Sequence, residues 1–131
     1  MKVADVMTQD VSTLAPGASL KDAARLLVEI GASGAPVVNP DGRLVGVISE
    51  ADIIAKEQGG RSEHAGVLAW LLEPRFVDER FDAVTVGEAM SSPAIVIEAD
   101  RPVTEAATRM LDEAINRLPV VDADGRLVGI V

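Results

Sequence analysis

The sequence predicts an α/β fold built from two copies of one small motif. Residues 3–48 align with residues 86–131 without a gap, and thirteen of the 46 aligned positions are identical. Each copy contains one stretch with the apolar spacing of a helix, set between short apolar runs that suit strands. Each copy also has an Asp-Gly pair between two apolar runs, which is typical of a β-hairpin. An ungapped repeat of this quality indicates a duplication.

The first copy begins with a strand and a helix. Val11–Leu14 is a short candidate strand. After it, Ser19 fits the N-cap of a helix, with Asp22 at the third helical position. Gly31 suits the C-terminal end, where a left-handed residue commonly stops a helix. The apolar residues between these ends follow helical spacing and form the predicted buried face: Leu20, Ala23, Ala24, Leu27 and Ile30.

A hairpin and a second helix complete the first copy. Pro36–Val38 and Leu44–Ile48 are the predicted strands, and Asp41-Gly42 is the predicted turn. Ser49 is the predicted cap of a helix that runs to about residue 58. The strands are almost continuously apolar, which indicates burial on both faces. We therefore expect two copies packed face to face with helices outside, and a cleft between them of the kind that often binds ligands.

The second copy repeats this order. We predict a strand over Ala94–Ile97, a helix over about 101–114 and a hairpin over 118–131 around Asp124-Gly125. The second copy stops at Val131, whereas the first continues into the helix that Ser49 caps. We therefore expect the C-terminal helix of this copy to be missing, which predicts exposed apolar surface and either reduced stability or compensating dimerisation.

Composition and charge exclude several classes of protein. The 131 residues include 12 basic and 21 acidic side chains, a formal charge of −9, and no cysteine. Disulfide scaffolds and thiolate metal sites are therefore excluded, and the negative charge disfavours nucleic-acid binding. The longest apolar run, over 65–72, is far too short to span a bilayer, and the first residues lack the apolar core of a signal peptide. A cytoplasmic protein without a membrane partner is the expectation.

Three motifs carry a resemblance to a known family. They are Val-x-Asp-Val-Met-Thr at 3–8, Pro-Val-Val-x-x-Asp-Gly-Arg-Leu-Val-Gly at 36–46, and Ser-Glu-Ala-Asp at 49–52. The second copy supplies the counterparts of the first two motifs at 86–91 and 118–122. Together they resemble the cystathionine-β-synthase (CBS) domain family in its tandem pair, the Bateman module. The resemblance implies an α/β (α+β) fold, β-α-β-β-α in each half, packed with pseudo-twofold symmetry. It implies CBS motif 1 over 1–58, a linker over 59–83 and CBS motif 2 over 84–131.

The resemblance also implies a function. CBS pairs are regulatory modules, and many bind an adenosine-containing ligand such as AMP, ADP, ATP or S-adenosylmethionine in the cleft between repeats. The chain is therefore expected to be a non-catalytic sensor that requires no cofactor and forms a homodimer. Ligand binding would relay a conformational change to a fused or separate effector domain. The alternative is a ligand-free dimerisation or scaffolding module.

The ligand motif of the family, Gly-h-x-[Ser/Thr]-x-x-Asp with h apolar, matches residues 46–52. The resemblance assigns the ribose hydroxyls to Asp52 and a phosphate or ribose contact to Ser49. Chemistry agrees with these roles, because a carboxylate accepts from two vicinal hydroxyls and a helix N-terminus favours a phosphate. Ser-x-x-Asp before an apolar helix is also a plain capping box, and the two roles are compatible.

The other predicted ligand contacts come from strand ends and one arginine. An adenine is expected to lie between the apolar strand ends that carry Thr13 and Ala35, Pro36 and Val37, with Ile48 of the ligand motif beside them. Arg117 is a candidate phosphate contact, and the alternative is a solvated or ion-paired arginine. Because cations near the cleft are sparse, a nucleoside or monophosphate is favoured over a triphosphate unless Mg²⁺ assists.

The linker contains every aromatic residue of the chain: Trp70, Phe76 and Phe81. A short amphipathic helix is predicted over 62–72. The rings either seal the linker onto the core or form a dimer or partner surface. His64, the only histidine, is expected at the surface. With no cysteine beside it, His64 supports neither a metal site nor a nucleophilic triad.

Overall fold

The computed structural model of the chain describes residues 1–58 and 84–131. The predicted linker helix over 62–72 lies outside the described residues, as do Trp70, Phe76, Phe81 and His64. The described parts form two small sheets with short helices around them, which confirms the predicted mixed α/β class. None of the described helices has the length and apolar character that a membrane crossing needs.

The first repeat contains three helices and one hairpin. Its two strands pair antiparallel, and Gly42 in their turn has φ +82°, a conformation that glycine adopts without strain. This confirms the hairpin predicted around Asp41-Gly42. The elements in chain order are α1 (Val3–Val6), α2 (Leu20–Ile30), β1 (Gly34–Val38), β2 (Leu44–Ser49) and α3 (Glu50–Gln58).

The second repeat has the same order as far as its hairpin. β3 pairs in parallel with β4, and β4 pairs antiparallel with β5. Gly125 in the turn has φ +83°, which matches Gly42 in the first repeat. The elements are α4 (Val86–Ala89), β3 (Ile97–Glu98), α5 (Val103–Asp112), β4 (Pro119–Val121) and β5 (Leu127–Ile130).

The ends of α2 lie where the sequence predicts them. The Ser19 hydroxyl accepts a hydrogen bond from the Asp22 backbone N–H at 3.1 Å. At the other end, Gly31 has φ +65° and its N–H donates to the carbonyls of Leu27 and Val28. The predicted apolar face is buried except for Ile30, which is exposed.

The two leading strands are shorter than predicted. Within the described residues, only Leu14 of the predicted strand 11–14 pairs, in a parallel bridge with Val37. Ser12 and Thr13 are exposed, and the chain turns directly after Leu14, where the Ala18 N–H donates to the Ala15 carbonyl. The strand predicted over 94–97 is observed at Ile97–Glu98, because the short β4 offers partners only to these two residues.

The long helix of the second repeat is also shorter than the predicted 101–114. Pro102 occupies the N-cap with an extended backbone, so the helix begins at Val103. It ends at Asp112, and Ala114 has φ +55°, which is incompatible with continuing the helix.

The leading segments of the two repeats are exchanged. Val3 of α1 is fully buried in the second core, against Ile97, Leu118 and Val120. Conversely, Val86 of α4 is fully buried in the first core. Backbone hydrogen bonds extend each hairpin with the other repeat's segment: Thr8 pairs with Ile130, and Ser91 pairs with Val47. Neither α1 nor α4 is predicted from the sequence pattern, and neither is this exchange.

Two glycines make room for the exchanged segments. A Cβ added at Gly46 would lie 2.6 Å from Met90 Sδ and 2.8 Å from the Ser91 carbonyl oxygen. A Cβ added at Gly129 would lie 2.7 Å from Met7 Sδ and 2.8 Å from the Thr8 carbonyl oxygen. The identical residues at equivalent positions of the two copies therefore make equivalent contacts, and this supports the predicted pseudo-twofold arrangement.

Candidate functional site

A cleft of about 340 Å³ lies between the two repeats. The first repeat contributes residues 33–36 at the start of β1, together with Val47, Ser49 and Asp52. The second repeat contributes Ser91, the wall segment (residues 93–95), residues 115–117, Pro119 and Ile130. Both hairpins and the leading segment of the second repeat, through Ser91, therefore meet at one cavity.

Much of the cleft lining is related by the internal repeat. At the offset of 83 residues, four lining positions of the first repeat correspond to lining positions of the second. The chemistry of the pairs differs most where a glycine corresponds to an arginine. The pairs are Ser33 with Asn116, Gly34 with Arg117, Pro36 with Pro119, and Val47 with Ile130.

Ser49 and Asp52 form a reciprocal capping box at the start of α3. The Ser49 hydroxyl and backbone N–H each donate to Asp52 Oδ2 at 2.9 Å. The Asp52 N–H donates in return to Ser49 Oγ at 3.2 Å. The capping interpretation of this motif is therefore correct. Both side chains are half-buried and line the cleft, and within the described residues no hydrogen bond ends on Asp52 Oδ1.

The structure brings five of the eight predicted site residues to this cleft: Ser49, Asp52, Ala35, Pro36 and Arg117. Val37 and Ile48 are fully buried in the first core, so their side chains face away from it. Thr13 is exposed and is not among the described residues that line the cleft.

Most lining residues of the second repeat are not predicted from the sequence. Ser91, the wall segment and Asn116 have no local motif that marks them as ligand contacts. The internal repeat could have indicated Asn116, because Asn116 is the counterpart of Ser33, and Ser33 directly precedes the predicted contacts at β1. The wall segment has no such signal, since its counterpart in the first repeat, residues 10–12, does not line the described cleft.

The described lining of the cleft has groups that can bind a small molecule. Among the described lining residues, Asp52 and Arg117 are the charged side chains, and the others are hydroxyls, an amide and apolar groups. The serines there have no histidine beside them among the described residues. Residues 1–58 and 84–131 also contain no group of three His, Cys, Asp or Glu side chains that could hold a metal ion. The cleft therefore offers apolar walls, hydrogen-bonding groups and one charge of each sign.

Comparison with known proteins assigns the family. The family model described as "CBS domain" matches residues 3–59 and 86–131. The chain belongs to the CBS domain family. The resemblance seen in the sequence is thereby confirmed, and the two repeats are a tandem CBS pair.

Several relatives of this CBS pair are known. The chloroplastic CBS domain-containing protein CBSX2 of Arabidopsis thaliana is 34% identical over 141 residues, which cover 98% of this chain and 59% of the relative. A crystal structure of CBSX2 in complex with AMP has a TM-score of 0.77 and 32% identity, and the match covers 99% of this chain and 88% of that one. This chain thus spans about three fifths of the curated plant relative.

Two further relatives extend the comparison. The CBS domain pair of protein MJ0100, solved with 5′-methylthioadenosine and S-adenosyl-L-methionine, has a TM-score of 0.71 and 27% identity over 100% of this chain and 88% of that one. A homoserine O-acetyltransferase of Methanococcoides burtonii is 34% identical over 98% of this chain, which is only 22% of that protein. CBS pairs therefore occur both as separate proteins and as parts of larger ones.

Proposed function

We propose that this chain is a non-catalytic regulatory CBS pair that binds an adenosine-containing small molecule in the cleft between its repeats. One observation carries the proposal. The half-buried carboxylate of Asp52, at the end of the family's ligand motif, lines a cleft of about 340 Å³ shared by both repeats. The solved relative with AMP, at a TM-score of 0.77, supports the choice of ligand class.

Each lining residue has a chemical role in this proposal. Asp52 keeps Oδ2 on the helix cap and uses Oδ1 to accept from the ribose hydroxyls. The apolar surfaces of Ala35 and Pro36 contact the adenine on one side, and Ile95 contacts it from the wall segment. Arg117 donates to a phosphate. The predicted contacts of Thr13, Val37 and Ile48 stay predictions, and the buried Val37 and Ile48 would serve through their backbone or by shaping the strand.

Cleft charge favours a small ligand. Among the described lining residues, Arg117 is the one cation, and Asp52 opposes the approach of further negative charge. A guanidinium matches a single phosphate well, by two parallel N–H donors. We therefore propose AMP or an adenosyl ligand of similar charge over ATP, and no required cofactor.

Signalling in this proposal requires only that the ligand bind two arrangements of the repeats with different affinities. A ligand that touches both repeats favours the arrangement of the repeats in which the lining residues of both contact it. The resulting change would be relayed to a fused domain or to a separate partner; a fused domain is proposed as one route because the match covers only 22% of one longer relative. A homodimer and a cytoplasmic location are also proposed, from the sequence and the family resemblance alone.

Isothermal titration calorimetry tests the proposal directly. AMP, ADP, ATP, S-adenosylmethionine and NADH are titrated into the wild type, Asp52→Ala and Asp5→Ala. Asp5 is the matched control, because its carboxylate also caps a helix, accepting from the Lys2 N–H at 2.8 Å, but does not line the cleft. We expect AMP to bind the wild type and Asp5→Ala, and to bind Asp52→Ala at least tenfold more weakly, a loss on the scale of one charged hydrogen bond.

Other outcomes are equally informative. Binding that survives Asp52→Ala unchanged would place the site elsewhere. If no nucleotide binds the wild type while light scattering shows a dimer, the ligand-free scaffolding module is the better description.

A further inference from the structure

The wall segment belongs to the second repeat alone. Residues 93–95 line the cleft, whereas residues 10–12 of the first repeat are not among the described residues that do so. Directly after the wall segment, the chain continues through Val96 into β3, where Ile97 is fully buried. The position of Val96 therefore determines where the wall segment enters the cleft.

Arg109, in the last turn of α5, contacts Val96 and is not among the described residues that line the cleft. Its Nη1 donates a hydrogen bond to the Val96 carbonyl oxygen. A hydrogen bond from a charged donor is about twice as strong as a neutral one.

One acidic side chain, Glu105, lies beside the Arg109 guanidinium. Glu105 Oε2 lies 4.0 Å from Arg109 Nη2 and 3.5 Å from Arg101 Nε. Arg101 Nε in turn lies 3.9 Å from Glu98 Oε2. Glu105 Oε2 is a buried atom with no hydrogen-bond partner in the described structure, so the two guanidinium groups are its stabilising neighbours. The attraction orients Arg109 toward the strand.

The first repeat has no counterpart of this network. Leu26 occupies the position equivalent to Arg109 and packs against the apolar core. Alanines replace the equivalents of Glu98 and Arg101, at Ala15 and Ala18. The hydrogen bond from a charged side chain to the strand therefore occurs in the repeat that supplies the wall segment. In the repeat that does not supply it, apolar packing takes its place.

We propose that Arg109 is a positioning residue for the cleft, which fixes the wall segment through the Val96 carbonyl. This inference rests on the proposed function, because it assigns the device that keeps the ligand cleft in its binding geometry. If loss of the hydrogen bond from Arg109 to Val96 leaves the wall segment in its binding position in only about one molecule in ten, the apparent affinity for the ligand falls about tenfold.

The experiment compares Arg109→Leu, which installs the residue found in the first repeat, with two other variants. Arg126→Leu is the matched control: Arg126 Nε donates to the Asp41 carbonyl oxygen at 3.1 Å and Nη1 lies 3.5 Å from Asp124 Oδ2, away from the cleft lining. Arg109→Lys keeps the charge and a donor. Each protein is measured by calorimetry with AMP and with adenosine, by thermal melting, and by hydrogen exchange at the amides of Ile97 and Ala99.

We expect Arg109→Leu to bind both AMP and adenosine about tenfold more weakly, since both ligands contact the same wall. Arg126→Leu should melt lower yet bind like the wild type, and Arg109→Lys should recover part of the affinity. Equal affinities for Arg109→Leu and Arg126→Leu would overturn the inference, whatever their melting temperatures.

A failure of the proposed function gives a different result. If the wild type binds neither ligand, the ligand assignment is wrong, and hydrogen exchange alone decides the role of Arg109. Faster exchange at Ile97 and Ala99 in Arg109→Leu than in Arg126→Leu would then support the positioning role, and equal exchange would refute it. Arg109→Lys supplies the same comparison if Arg109→Leu does not fold.

Discussion

Gly46→Ala tests the exchange of segments between the repeats. The added methyl group would lie 2.6 Å from Met90 Sδ and 2.8 Å from the Ser91 carbonyl oxygen. Met90 is a flexible side chain and can rotate away, but the Ser91 carbonyl is backbone. It accepts from the Val47 N–H at 3.1 Å, and the Ser91 N–H donates to the Val47 carbonyl at 2.9 Å. Relieving the contact therefore requires the exchanged segment to separate from β2.

The expected cost follows from two opposing effects. Overpacking of this kind costs about 1–3 kcal/mol, because the neighbouring backbone must shift. Replacing glycine by alanine also lowers the entropy of the unfolded chain, which returns about 0.4–1 kcal/mol. We expect a net loss of about 1–2 kcal/mol in the free energy of unfolding. For a domain of this size the melting temperature should fall by roughly 3–8 °C.

Calorimetric melting and urea unfolding measure the loss, and two other glycines provide controls. Gly129→Ala should lose a similar amount, because its methyl group would lie 2.7 Å from Met7 Sδ and 2.8 Å from the Thr8 carbonyl oxygen. Gly17→Ala should be neutral or slightly stabilising, since nothing lies within 4 Å of its added methyl group. The reasoning is refuted if all three variants melt together.

Three further predictions concern the caps, the turns and the exchanged core. Ser19→Ala should lower the free energy of unfolding in urea by about 1 kcal/mol through loss of the α2 cap, whereas the exposed Ser12→Ala should change it by less than about 0.5 kcal/mol. Gly42→Ala and Gly125→Ala should each lower the free energy of unfolding in urea by about 1–2 kcal/mol, because both hairpin turns need positive φ. Destabilisation by only one of the two substitutions would contradict this. Val3→Ala should lower the free energy of unfolding by about 2 kcal/mol, because Val3 packs in the second core. It should also speed amide hydrogen exchange at Val120 more than at Val37. The reverse order would contradict the crossing of the leading segments between the repeats.

Local chemistry explains what could be predicted from the sequence. The caps of α2 and the two hairpin turns depend on residues close together in the chain, such as Ser19 with Asp22, or Gly42 at positive φ. The Ser49–Asp52 pair likewise spans a single helical turn. Each of these features is encoded within a few residues, so periodicity and residue type are sufficient to find it.

The exchange could not be predicted because the repeat is nearly symmetric. Val3 and Val86 are identical, as are Met7 and Met90, and the two glycines that receive the methionines are identical too. A segment packed on its own repeat and a segment packed on the other repeat would therefore bury the same side chains in similar surroundings. Sequence pattern cannot separate these arrangements, since they differ only in which chain segment crosses over. The wall segment could not be predicted for a different reason: its counterpart, residues 10–12, does not line the described cleft, so the repeat gives no signal for it.

The exchange also explains why the cleft can report on the arrangement of the repeats. Val47 and Ser91 both line the cleft, and the hydrogen bonds between them join the first hairpin to the second repeat's leading segment. Ile130, another lining residue, is joined in the same way to Thr8 of the first repeat. Part of the cleft lining, Val47, Ser91 and Ile130, thus takes part in the hydrogen bonds that connect the repeats. Any rotation of one repeat against the other must move these lining residues, so a ligand that contacts them has different affinities for the two arrangements, which is the thermodynamic requirement for a sensor.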